Sequence, residues 1–227
     1  MSDAVVILVA AGRGERLGLD VPKAFVWIAG RPLLAHAAAS AFECGEIASI
    51  VAVVPPGCED EAHRALEPFG RCEVVVGGET RQASVRSALA SGAASGDVLV
   101  CHDAARPFAS PELFGAVIGA LSAADGAVPV LPLVDTVKRV RDGFVDGTEP
   151  RDELVVVQTP QAFRAEALRE AHARADRDGV ELTDDAAAVE RAGYRVATVP
   201  GEASNFKITT PQDLARAEAI ASELARD

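Results

Sequence analysis

Five short runs of apolar and β-branched residues, at 5–9, 50–54, 73–76, 98–102 and 127–131, alternate with alanine-rich stretches of helical spacing at 33–42, 59–66, 82–90 and 111–122. The runs lack the in-and-out polar alternation of a half-solvated strand, so both faces of each must be covered. Strand–helix alternation of this kind leaves one broad solution, a parallel sheet with helices on both faces. Ser110-Pro111-Glu112 fits a helix start: an N-cap, a proline at the first helical position and an acid in the first turn.

The regularity breaks after Leu133. Strands at 136–141 and 143–145 form a hairpin around Asp142-Gly143. A further strand is expected at 154–158, a helix at 163–176, a short helix capped by Thr183-Asp184-Asp185 to about 192, and strands at 195–199 and 206–208. Asp184 and Asp185 read most simply as helix-start acids. Thr210-Pro211-Gln212-Asp213 is a capping box opening the last helix. No linker-like tract or repeat divides these parts. The expectation is one domain over 1–227: an α/β, Rossmann-like, mostly parallel sheet with helices on both faces, plus a protruding β-arm at about 134–158.

Charge then narrows the function. Acidic residues number 34 against 22 basic ones, for a net charge of -12. Broad electrostatic binding to nucleic acid or an anionic membrane is disfavoured, whereas a small phosphorylated ligand needs only a local cluster of cations. Cys44, Cys58, Cys72 and Cys101 have no C-x-x-C spacing and read as reduced thiols of a cytoplasmic protein. The four His residues show no zinc spacing. No secretory leader or spanning segment is expected.

The most specific segment follows the first apolar run directly: Ala10-Ala11-Gly12-Arg13-Gly14-Glu15-Arg16-Leu17-Gly18. In a parallel sheet, ligands bind beyond the carboxyl ends of the strands. Small residues there let backbone N–H groups approach phosphate oxygens. The spacing is neither a G-x-x-x-x-G-K-[ST] loop nor a clean dinucleotide fingerprint. Arg16, then Val21-Pro22-Lys23, puts two cations at the mouth of the loop, fit to clamp a polyphosphate. The bland alternative is a plain turn with solvated Arg and Lys.

A-A-G-x-G-x-R-x-G followed by P-K resembles the opening of nucleotidyltransferases that activate sugar and polyol phosphates. Further segments resemble the 2-C-methyl-D-erythritol 4-phosphate cytidylyltransferases: Gly77-Gly78-Glu79-Thr80-Arg81-Gln82-Ala83-Ser84-Val85, His102-Asp103-Ala104-Ala105-Arg106-Pro107 and Asp135-Thr136-Val137-Lys138. So do Arg151 with Thr159-Pro160-Gln161, Thr183-Asp184-Asp185-Ala186 and Asn205-Phe206-Lys207-Ile208-Thr209. All lie in register across nearly the whole chain.

The resemblance implies transfer of a cytidylyl group from CTP to a polyol phosphate, with release of pyrophosphate. It implies that Arg16, Lys23 and Lys207 act on the reacting phosphates. Ala10, Ala11, Gly12, Gly78, Glu79, Ser84 and Asp103 would bind the nucleotide, with Asp103 also a ligand for Mg²⁺ or another divalent cation. Glu79 stands where the family often has Asp. Arg106 would hold Asp103 or the loop from behind. Thr136, Arg151 and Thr159 would grip the polyol phosphate from an arm that crosses to a second subunit of a homodimer, with Lys138 supporting the arm. His102 is expected to be a packed, hydrogen-bonded side chain, because an ionised phosphate needs no general base. Some members carry a downstream cyclase; a chain ending at Asp227 is expected to stand alone. Rival readings are a cytidylyltransferase for another polyol phosphate such as ribitol 5-phosphate, a NAD-dependent reductase and a silent nucleotide-binding regulator.

Overall fold

A computed structural model describes residues 3–12, 14, 17–19 and 21–224. The expected alternation is present: β1 (Ala4–Val9), α1 (Leu33–Glu43), β4 (Ile47–Val54), α2 (Glu59–Leu66), β5 (Cys72–Val76), α3 (Arg81–Ala90), β6 (Val98–Asp103), α4 (Pro111–Ala120) and β7 (Gly126–Pro132). A small hairpin, β2 (Trp27–Ile28) and β3 (Arg31–Pro32), precedes α1. After β7 come β8 (Lys138–Arg141), β9 (Phe144–Thr148), β10 (Val155–Val157), β11 (Gln161–Arg164), α5 (Ala165–Arg177), α6 (Asp185–Arg191), β12 (Val196–Pro200) and α7 (Pro211–Leu224).

The main sheet runs β10-β7-β11-β6-β1-β4-β5, with β12 along the other edge of β7. Pairs among β6, β1, β4 and β5 are parallel, as is β7 with β12. β11 lies antiparallel between β6 and β7. Successive residues of β1 serve opposite layers. Val6 and Leu8 pack with Leu34, Leu66 and Phe114 of α1, α2 and α4, while Val5 and Ile7 pack with Val85, Leu168 and Val189 of α3, α5 and α6. Full burial of Leu8, Leu34, Phe114 and Leu168 contributes roughly 1.5–3 kcal/mol each.

Local chemistry sets the helix starts. The Ala83 amide donates to Thr80 Oγ1 (3.1 Å) at α3, Leu113 to Ser110 Oγ (3.1 Å) at α4, and Ala187 to Asp184 Oδ1 (2.9 Å) at α6. The capping box of α7 is reciprocal, with the Asp213 amide to Thr210 Oγ1 (3.2 Å) and the Thr210 amide to Asp213 Oδ2 (2.8 Å). In the arm, Asp142 (φ 51°) and Gly143 (φ 83°) turn between β8 and β9 with the paired positive φ that such a hairpin demands.

Two expectations need correction. Phe163 is not helical: residues 161–164 form β11, and α5 starts at Ala165. A Cβ on Gly126 would sit 2.7 Å from the Phe163 ring, so the glycine opposite makes room for this buried strand residue. Residues 206–208 form no strand. They are held by side chains, described below.

Candidate active site

The carboxyl ends of β1, β4 and β6 lie level, because Val9 pairs with both Val53 and Asp103. The chain leaves β1, β5 and β6 under backbone control, with Ala10 N–H to Val53 O (2.8 Å), Gly77 N–H to Val54 O (2.8 Å) and Ala104 N–H to Val9 O (3.1 Å). The three exits open into a cleft of about 870 Å³. Ala10, Ala11, Gly12 and Gly14 line one side, Pro55 and Pro56 the back, and Gly77 to Arg81 with Ser84 the other side. Asp103, Lys23 and Lys207 complete the wall.

Close approach explains the glycines. A Cβ on Gly77 would lie 2.7 Å from Ala11 Cβ and 2.8 Å from Ser84 Oγ, so only glycine lets the start of α3 meet the β1 loop. Gly14 has φ +72°, and a Cβ there would meet Lys23 Cβ at 2.8 Å. This contact brings Lys23, at the head of a short 3-10 turn after Pro22, against the loop. Ser84 is buried, its hydroxyl donating to the Thr80 carbonyl at 2.9 Å. Glu79 is exposed at the rim.

Charges alternate along the floor. Asp103, 7% exposed, accepts from Arg81 Nε on Oδ1 (3.1 Å) and from Lys207 Nζ on Oδ2 (2.7 Å). Arg81 reaches back through Nη1 to Asp185 Oδ2 (2.6 Å), and Asp185 Oδ1 pairs with His172 Nε2 (3.0 Å). Burial would raise the Asp103 carboxyl, but Arg81 and then Lys207 outweigh it and hold the group well below the usual carboxylate range. Asp103 is therefore ionised at neutral pH. In a chain of net charge -12, the cleft gathers Lys23, Arg81 and Lys207, so its wall is suited to a polyanion.

The cleft brings together Ala10, Ala11, Gly12, Lys23, Gly78, Glu79, Ser84, Asp103 and Lys207. Arg16 lies outside the described residues. Thr136 and Arg151 do not line the cleft; both are exposed on the arm, where Arg151 Nη1 donates to the Val134 carbonyl (2.5 Å). Thr159 does not line it either. It is buried behind β6, its Oγ1 accepting from the Asp103 amide (3.0 Å) and meeting His102 Nδ1 (3.0 Å). His102 also reaches the Arg106 carbonyl (3.1 Å) and packs edge-on against Phe114. Burial lowers its pKa to about 4, so it is a neutral structural side chain. Arg106 does not hold the Asp103 carboxylate. Its Nη1 donates to the Asn205 carbonyl (2.8 Å), on the segment that carries Lys207.

Sequence reasoning missed Arg81, Asp185 and His172 as a unit. Arg81 stood inside a quoted motif without a role. Asp185 reads most simply as a helix-start acid, and it does open α6, yet it is also the buried anion between Arg81 and His172. The usable signal was two adjacent acids where one N-cap suffices. Among the described residues, no three His, Cys, Asp or Glu side chains converge as a metal cage.

The family profile for 2-C-methyl-D-erythritol 4-phosphate cytidylyltransferase (IspD) matches residues 4–223. A protein of that name from Rhodococcus opacus (strain B4) is 46% identical over 221 residues, covering 96% of this chain and 95% of that protein. A bifunctional IspD/IspF enzyme from Nitrobacter hamburgensis is 42% identical over 224 residues, covering 97% of this chain and 56% of that protein. The chain thus spans about half the length of the bifunctional curated relatives it matches. The crystal structure of 2-C-methyl-D-erythritol 4-phosphate cytidylyltransferase from Thermus thermophilus superposes with a TM-score of 0.81 at 41% identity, over 98% of this chain and 100% of that one. The 4-diphosphocytidyl-2C-methyl-D-erythritol synthase from Anaerococcus prevotii gives 0.86 at 31% identity, over 97% and 99%.

Proposed function

The chain belongs to the 2-C-methyl-D-erythritol 4-phosphate cytidylyltransferase family, and we propose that it transfers the cytidylyl group of CTP to 2-C-methyl-D-erythritol 4-phosphate. The products are 4-diphosphocytidyl-2-C-methyl-D-erythritol and pyrophosphate. The observation that carries this reading is the meeting of Lys23, Arg81, Asp103 and Lys207 in the cleft beside Gly77, Gly78 and Ser84.

A phosphate monoester oxygen of the acceptor attacks the CTP α-phosphorus in line, and the bond to the pyrophosphate oxygen breaks. Both reactants are anions, so the chain's task is to hold them together and to take up charge as pyrophosphate leaves. Lys23, beside the glycine loop, meets the triphosphate; a compact ammonium suits a point contact. Arg16, in the same sequence motif, is assigned the same task by family resemblance. Lys207 lines the same cleft beside Asp103. It is 38% exposed and gives up Asp103 more readily than Arg81, which Asp185 anchors from behind.

Mg²⁺ or another divalent cation fits the site in a limited form. Asp103 offers one ionised carboxylate at the cleft wall, and this ion commonly takes one or two carboxylates with phosphate and water oxygens. When bound, the ion would screen phosphate repulsion and neutralise charge on the leaving pyrophosphate.

Thr136 and Arg151 are assigned to the acceptor through a homodimer, in which the arm of one subunit serves the cleft of the other. Among the described residues, most of the exposed large hydrophobic side chains fall on the arm, with Val134 81% and Phe144 79% exposed and Val140 and Val145 also bare. Such a surface suits burial against a second copy. No described helix is long and apolar enough to cross a membrane. The four cysteines are free thiols, which accords with a cytoplasmic placement.

Pyrophosphate release, measured with Mg²⁺ across a grid of nucleoside triphosphates and polyol phosphates, tests the assignment. Release is expected only with CTP and methylerythritol phosphate. Release with ribitol 5-phosphate in its place would overturn the acceptor.

A further inference from the structure

Lys207 sits on a segment that no β-ladder supports. Residues 201–209 carry neither helix nor strand, yet Asn205 is fully buried and Lys207 meets Asp103. Backbone without regular pairing must satisfy its polar groups in other ways. Ile208 N–H goes to the Ala105 carbonyl (2.9 Å) and Thr209 N–H to Asp213 Oδ2 (2.9 Å), while around Asn205 one side chain meets three backbone groups. Gln158, 3% exposed, donates through Nε2 to the carbonyls of Glu202 (2.8 Å) and Asn205 (3.2 Å). Its Oε1 accepts from the Glu202 amide (3.0 Å) and from Asn205 Nδ2 (3.4 Å). Gly201 leaves the space, since a Cβ there would lie 2.7 Å from that oxygen. From other sides, Arg106 holds the Asn205 carbonyl and the Arg216 guanidinium lies 4.1 Å over the Phe206 ring.

Gln158 is also where the arm rejoins the sheet. Residues 151–157 are exposed, and burial begins at 158. β10 pairs with β7 immediately before it, and the Gln158 amide donates to the Pro129 carbonyl (2.8 Å). One residue therefore ends the arm and grips the segment two positions ahead of Lys207.

We propose that Gln158 is a positioning residue for Lys207, so that the root of the arm sets where the ammonium stands in the cleft. The proposal rests on the reading of Lys207 as a contact to the reacting phosphates. A primary amide suits the task because it offers two donors and two acceptor lone pairs. Leucine has similar size and none of these groups. Asparagine has all of them and falls one methylene short.

The test uses Gln158→Leu and Gln158→Asn, each alone and combined with Lys207→Ala. Each single variant is expected to lower kcat on the order of 100-fold, the scale of a small misplacement of a catalytic group. The KM for CTP should stay within about twofold, since the glycine-loop side is untouched. In the Lys207→Ala background, neither change should lower kcat further, because groups that act as one unit are non-additive. A general loss of stability would instead multiply the two defects. Hydrogen exchange supplies a readout independent of turnover: amides of 202–208 should exchange faster in Gln158→Asn, while those of β1 and β6 should not. Unchanged kcat, multiplicative double variants or unchanged exchange would each overturn the proposal. Full turnover by Lys207→Ala alone would instead remove the role given to the lysine, and exchange would still decide whether Gln158 holds its segment.

Discussion

Replacing Asp185 by Asn removes one charge from the buried line His172–Asp185–Arg81–Asp103 and keeps the side chain's size. Asp185 is 1% exposed, with Arg81 Nη1 at 2.6 Å and His172 Nε2 at 3.0 Å. Burial would raise its carboxyl, but Arg81 and then His172 together outweigh burial and bring it from 3.8 to about 2. At about 1.36 kcal/mol per unit, the ionised group contributes roughly 2–3 kcal/mol at neutral pH. Asparagine can keep both hydrogen bonds. Its carbonyl oxygen can face Arg81, and its NH₂ can donate to His172 Nε2 once the imidazole proton moves to Nδ1, a buried atom without a hydrogen-bond partner. What disappears is the charge, so the expected loss is about 2–3 kcal/mol, below the ~3–5 kcal/mol of breaking a buried pair outright. For a chain of this length, that lowers Tm at pH 7 by about 4–12 °C.

The pH dependence sharpens the test. A carboxyl with a folded pKa below its unfolded one stabilises above the unfolded value, and that stability drains away as pH falls through the folded value. For Asp185 the window is about pH 4 to pH 2. Wild type loses the contribution there, and the variant has none to lose. Urea unfolding at pH 7 and near pH 2.5 should therefore show a gap in midpoint that narrows on acidification, with Asp103, intact in both, leaving each protein acid-sensitive. Equal midpoints at pH 7, or a gap that persists undiminished at low pH, would refute the electrostatic account.

Lys23→Ala and Lys207→Ala should each lower kcat on the order of 100-fold or more while changing CTP affinity far less; near-wild-type turnover by single-turnover kinetics would contradict their roles. Arg151→Ala should raise the KM for the polyol phosphate roughly tenfold, the worth of a charge-assisted contact. A loss of CTP binding alone would remove the arm from acceptor recognition. Gly77→Ala puts a methyl group 2.7 Å from Ala11 Cβ and should weaken CTP binding about tenfold by calorimetry, because neither the loop nor α3 can give way without moving the other.

The glycine-loop side of the cleft was legible because its constraints are local in sequence. Glycines, prolines and the strand ends declare themselves within a few residues, and Asp103, Lys23 and Ser84 all line the one cleft. What escaped depends on distant partners. Arg81 acquires its role from Asp185, 104 residues away, and Gln158 from Asn205, 47 away. Arg106 stood in a motif with Asp103, yet its guanidinium is drawn to the Asn205 carbonyl. β11 was hidden because four residues are too few to display a period of two before the helical pattern of α5 takes over. Residues 206–208 alternate like a strand, but no neighbouring strand offers them a ladder.

The arm enters after β7 and leaves at Gln158, and neither of these residues nor any between them lines the cleft, which is built from residues up to Ala105 together with Lys207 and Thr209. On the proposed reading, donor and acceptor recognition are thus written in separate stretches of the gene. A change of length or charge in the segment from 134 to 157 would then alter the alcohol phosphate while leaving the cleft residues as they are. The one point where such tinkering would be felt is Gln158, the joint through which a rebuilt arm must still hand Lys207 its place.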